Sequence, residues 1–77
     1  MVLSDIQVGK TYQILSIHST GLFKQRLLEM GFVPQTVIKI LKVAPLGDPI
    51  QIQLRHYHLT LRKADAKFIE VREIDDE

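Results

Sequence analysis

The clearest alternation of apolar and polar side chains lies at residues 50–55, where Ile50, Ile52 and Leu54 take turns with Gln51, Gln53 and Arg55. A period of two sends one set to a core and the other to water, so this stretch reads as a strand with one buried face. Leu59 and Leu61 continue on the opposite parity, which a strand cannot adopt without an intervening turn or bulge. The pattern puts that turn at His56-Tyr57. Upstream, residues 36–44 place Val37, Ile38, Ile40, Leu41 and Val43 on both parities, broken only by Lys39 and Lys42, the pattern of a strand covered on two sides. Residues 11–17, with Tyr12, Ile14, Leu15 and Ile17 after a Gly9-Lys10 break, form a further predicted strand. In residues 68–74, Ile69 and Val71 point inward and Glu70 and Arg72 outward.

One segment follows a different period. Over Leu22–Met30 the residues Phe23, Leu27 and Met30 recur at i, i+4 and i+7, while Lys24, Gln25, Leu28 and Glu29 fall off that stripe. The spacing predicts a short amphipathic helix. Ser19 or Thr20 is placed to cap its first amides, and Gly31 supplies a left-handed residue at its end. Phe32 then folds back near Leu27 in a Schellman-type ending, and Pro34 prevents the helix from resuming.

The run Ala44-Pro45-Leu46-Gly47-Asp48-Pro49 is a hairpin loop by its prolines and Gly-Asp, and residues 62–66 suit a single helical or 3₁₀ turn. Five short strands, one inserted helix and tight turns in 77 residues favour a small, mostly β barrel, since closure removes edges that a small sheet cannot protect. An SH3-like barrel is the first expectation and a five-stranded oligonucleotide-binding barrel the second. The sequence divides into one domain, residues 1–74, and an acidic tail, residues 75–77, expected to fray.

Composition narrows the chemistry. Ten basic and nine acidic side chains give a net charge of +1, which supplies no general attraction to a polyanion. With no cysteine, disulfides, thiolate metal sites and cysteine nucleophiles are excluded. No apolar run approaches the roughly 18 residues of a spanning helix, and the N-terminus lacks a signal-peptide pattern, so a cytoplasmic protein is expected.

The stretches Arg26-Leu27-Leu28-Glu29-Met30-Gly31-Phe32-Val33-Pro34, Ala44–Ile50 and Leu54–Ala66 together resemble the FeoA family, small accessory proteins of ferrous iron transport. The likeness covers nearly the whole chain. Related domains also end metal-dependent repressors, but a chain starting at Met1 leaves no room ahead for a helix-turn-helix, which favours the transport family. Where the family usually has Pro-Gly-Thr this chain has Pro34-Gln35-Thr36, and where it usually has Arg-Gly-Tyr this chain has Arg55-His56-Tyr57. Gln35 and His56 must therefore accept a positive φ or remodel their turns. The resemblance implies an adaptor for a membrane ferrous iron transporter with a cytosolic GTPase domain, recruited to the inner face of the membrane by that transporter. It implies a monomer or weak oligomer, with no direct membrane insertion and no nucleic-acid partner.

The residues themselves show no nucleophile elbow, phosphate-binding loop or paired carboxylates, so no enzyme activity and no cofactor are expected. His18, His56 and His58 are read as solvated rather than as metal ligands, because no carboxylate sits near the latter two in sequence. A metal-sensing domain using His56 and His58 is the alternative that would make them ligands. Lys39, Lys42, Arg55, Arg62 and Lys63 fit solvated strand faces as well as an RNA-binding strip, the second alternative, and nothing marks Arg26, Arg55 or Arg62 as an arginine finger. Leu22 at the helix start and Leu46 at a hairpin tip are hard to bury. With Phe23, Arg26, Gly47 and Asp48 they make the expected partner-binding surface.

Overall fold

The computed structural model describes residues 1–74; the expectation of a fraying tail at residues 75–77 lies outside the described residues. Five strands, β1 (Thr11–Ile17), β2 (Val37–Val43), β3 (Ile50–Leu54), β4 (Tyr57–Leu61) and β5 (Ile69–Ile74), form an antiparallel sheet in the order β4-β3-β2-β1-β5. Helix α1 (Gly21–Met30) joins β1 to β2, and the one-turn α2 (Lys63–Ala66) joins β4 to β5. This is the mostly β architecture with a short inserted helix that the hydrophobic pattern predicts.

The core is one cluster. Tyr12 and Ile14 of β1, Ile38 and Ile40 of β2, Ile50, Ile52 and Leu54 of β3, Leu61 of β4, and Ile69 and Val71 of β5 meet Leu27 of α1 and Phe32. Leu3, in a 3₁₀ turn at Leu3–Asp5, is also fully buried, a contact that the N-terminal sequence does not announce. Val2 bridges to Glu70, and the Val71 N–H donates to the Met1 carbonyl at 2.8 Å, so the N-terminal residues line the outer side of β5.

Two bulges explain where strand parity departs from the pattern. In β2, Ile38 pairs with Leu54 and Ile40 with Ile52, but Lys42 pairs with Gln51 and Val43 with Ile50, so Leu41 is the extra residue. The expectation that β2 is covered on both sides is therefore corrected. It has one buried face, Val37 is half-exposed, and the bulge returns Val43 to the core side. In β1 the same device makes Leu15 the extra residue between Ile14 and Ser16, and restores Ile17 opposite Ile69. The β3–β4 turn is also one residue earlier than expected. Leu54 pairs with Tyr57, so the two-residue loop is Arg55-His56.

Candidate functional site

Helix α1 carries half of the predicted binding surface. Thr20 occupies its N-cap position in extended conformation but makes no side-chain cap bond, which corrects the expected hydroxyl cap. The C-terminal end follows the sequence closely. The Gly31 N–H donates to the Leu28 carbonyl at 3.0 Å and the Phe32 N–H to the Leu27 carbonyl at 3.1 Å, the two bonds of a Schellman ending. Leu27 and Phe32 are both buried beneath it, and burying a side chain of the size of Leu27 contributes about 1.5–3 kcal/mol.

With its C-terminal half anchored, α1 offers its first turn to solvent. Leu22 is 84% exposed and Arg26 is exposed. Phe23 is half-buried, its ring meeting Phe68 edge-on with centroids 5.4 Å apart. Lys67 places its ammonium 5.5 Å from the centre of the same Phe68 ring.

The second half lies on the β2–β3 loop. The Gly47 N–H donates to the Ala44 carbonyl at 2.7 Å, closing a turn with Pro45 at its first central position and Leu46 at its tip, 97% exposed. Asp48 has a structural partner that the sequence does not disclose: its Oδ1 accepts the Lys63 backbone N–H at 2.9 Å, satisfying an orphan amide at the start of α2.

The two halves thereby adjoin one short segment. Phe23 reaches Phe68 and Asp48 reaches Lys63, five residues apart in the segment that joins β4 to β5. Leu22, Phe23 and Arg26 lie where β1 ends and Leu46, Gly47 and Asp48 where β2 ends, which the antiparallel register sets at opposite ends of the sheet. At the α1 end of the sheet, Tyr57 donates its hydroxyl to the Met30 carbonyl at 3.2 Å, a strut between β4 and α1 that sequence reading misses.

The polar candidates are dispersed. His56 and His58 are exposed on the β3–β4 hairpin, while His18 faces Glu70 across 3.2 Å. Among the described residues, no three His, Asp or Glu side chains come together as metal ligands. Lys39 and Arg55 border an open depression of about 350 Å³ with Thr11, Val37, Ile38 and Gln53. Arg62 is held 3.4 Å from Asp65. Glu70 is held away from its ordinary pKa. The ammonium of Met1, bonded to its Oε2 at 2.7 Å, holds its carboxyl below the ordinary range, with desolvation opposing and His18 assisting. No helix among the described residues is long and apolar enough to cross a membrane.

Comparison with known proteins supplies the family. A family model for the FeoA domain matches residues 1–73. The chain is 39% identical over 71 residues, 92% of its length, to the Fe(2+) transport protein A/Fe(2+) transporter FeoB fusion protein of Porphyromonas gingivalis, of which it spans only 8%. The solution structure of iron(II) transport protein A from Clostridium thermocellum superposes with a TM-score of 0.91 at 40% identity, covering 96% of this chain and 46% of that one. The crystal structure of Stenotrophomonas maltophilia FeoA, solved with zinc and described as a prokaryotic SH3 domain protein, matches with a TM-score of 0.80 at 26% identity over 94% of this chain and 89% of that one. The fold is accordingly SH3-like. On its sequence and its architecture alike, this chain belongs to the FeoA family, the accessory domains of ferrous iron transport.

Proposed function

We propose that this domain is a cytoplasmic adaptor that docks on the membrane ferrous iron transporter, at or near its cytosolic GTPase domain, and biases it between functional states. The observation that carries this reading is the Porphyromonas gingivalis chain, in which a domain similar to this one is joined covalently to FeoB. A fusion holds two modules at an effective concentration of order millimolar when the linker is short, which is useful when they must meet. The adaptor supplies surface and no bond-making chemistry. Its docking surfaces are the start of α1 and the tip of the β2–β3 loop, where Leu22 and Leu46 project side chains that contribute little to the core. An exposed leucine that enters a partner's pocket is the kind of anchor on which interface energy concentrates.

The test is binding of the purified domain to detergent-solubilised FeoB from the same organism, with GTP hydrolysis followed in parallel. Leu22→Asp and Leu46→Asp should each weaken binding at least about tenfold, or about 1.4 kcal/mol, while leaving the thermal melt unchanged. A parent domain that neither binds FeoB nor alters its hydrolysis rate would overturn the reading.

A further inference from the structure

Strand β4 ends the sheet, pairing with β3 on one side only. In a two-residue hairpin the residues flanking the loop exchange both backbone hydrogen bonds, and the exchange recurs at every second pair. Leu54–Tyr57, Ile52–Leu59 and Ile50–Leu61 are therefore the bonded pairs, and the N–H and C=O groups of His58 and Thr60 point away from the sheet. Among the described residues, no backbone bond from a loop or terminus reaches either residue. Both side chains are exposed, and Leu59 between them is half-buried at the core margin. An edge of this kind is usually blunted by proline, a bulge or an inward-pointing charge, and Tyr57–Leu61 has none of these.

The charges around the edge have one sign. Arg55 and His56 stand at one end and Arg62 and Lys63 at the other, all exposed, with no acidic residue between positions 54 and 64. Asp65 is drawn to Arg62, and Asp48 accepts the Lys63 backbone N–H, but among the described residues neither the Arg55 guanidinium nor the Lys63 ammonium has a carboxylate partner.

We infer that this edge binds an extended segment of another protein as an added antiparallel strand, and that the segment is acidic on both sides of a short β-branched centre. Main-chain bonds to His58 and Thr60 supply the pairing, an apolar residue sits opposite Leu59, and the acidic flanks meet Arg55 and Lys63. A second copy of this chain fits badly. Antiparallel pairing centred on Leu59 opposes Arg55 of one copy to Lys63 of the other, and the two-fold repeats that like-charge pair at the other end.

The probe is the acetylated, amidated peptide Asp-Glu-Thr-Val-Thr-Glu-Asp, titrated into the isotopically labelled domain by nuclear magnetic resonance. The expected result is saturable binding by about 1 mM peptide, with the largest shifts and slowed amide exchange at His58 and Thr60. Replacing the four acidic residues by lysine should weaken binding at least about tenfold, as should Arg55→Glu combined with Lys63→Glu. N-methylation of both threonine amides should abolish binding and N-methylation of the central valine should spare it, because only alternate amides face the edge. Leu22→Asp should bind the peptide like the parent, which separates this result from the fate of the transporter reading. Absence of binding, equal binding of the lysine peptide, indifference to the methylation pattern, or shifts confined to residues away from β4 would each overturn the inference.

Discussion

Gly31 sits at φ +114°, a conformation that L side chains rarely adopt. A Cβ built on it would lie 2.8 Å from Leu54 Cδ2 and 2.8 Å from the Tyr57 hydroxyl, so backbone and packing both demand glycine here. Gly31→Ala should lower stability by about 2–4 kcal/mol in urea unfolding, combining the left-handed penalty with overpacking. A loss under 1 kcal/mol would mean that α1 ends with more slack than its bonds imply. Among the described residues, the two non-glycine residues with positive φ are Gln35 at 80° and Arg55 at 58°. Gln35 accepts the strain where the family usually has glycine, and Gln13 Nε2 lies 3.3 Å from both its carbonyl and its Oε1. At the second turn the remodelling alternative is the one taken: His56 does not adopt a positive φ, and the first loop residue, Arg55, takes the left-handed conformation. Relief of about 1–2 kcal/mol at that position exceeds the roughly 0.4–1 kcal/mol of unfolded-state entropy that glycine adds. Arg55→Gly should therefore stabilise the domain by about 0.5–1 kcal/mol, raising the urea midpoint; a lowered midpoint would refute the assignment of strain.

At the scale of elements, what the sequence discloses depends on how local the cause is. The C-terminal end of α1 is legible because Gly31, Phe32 and Pro34 act within one turn of each other. The parity change between Leu54 and Leu59 is legible as an event but misplaced by one residue, since two-residue loops at either position flip parity alike. The apolar run of β2 misleads for the same reason. A bulge at Leu41 and burial of both faces produce the same string of side chains, and only the pairing with β3 separates them. The candidate site divides in this way too. The exposure of Leu22 and Leu46 is foreseeable from a helix start and a turn tip, whereas the bond from the Lys63 N–H to Asp48 spans 15 residues and needs the fold to exist. Leu3 is hidden for the opposite reason, an ordinary apolar residue near a terminus whose burial depends on β5 being in place.

Across the whole molecule, one small polar cluster ties distant parts of the chain together. Glu70 Oε2 holds the Met1 ammonium at 2.7 Å and its Oε1 lies 3.2 Å from His18 Nε2, joining the N-terminus, the end of β1 and the start of β5. These contacts stabilise the ionised carboxylate, so folding lowers the affinity of Glu70 for a proton, and the unfolded chain binds that proton more readily. The contribution is therefore complete above the ordinary glutamate range and is lost as pH falls through the depressed native value. Because the cluster is open to water, it adds to the packed core rather than replacing it. Measured as urea midpoints, the parent should exceed Glu70→Gln near neutral pH, and the two should converge at acid pH below the depressed native value, where both side chains are uncharged. A gap that persists unchanged at that pH would show that Glu70 acts by shape and hydrogen bonding alone. A gap that closes would identify the carboxylate charge as the clasp between the N-terminal residues and the outer side of β5, the arrangement that also buries Leu3.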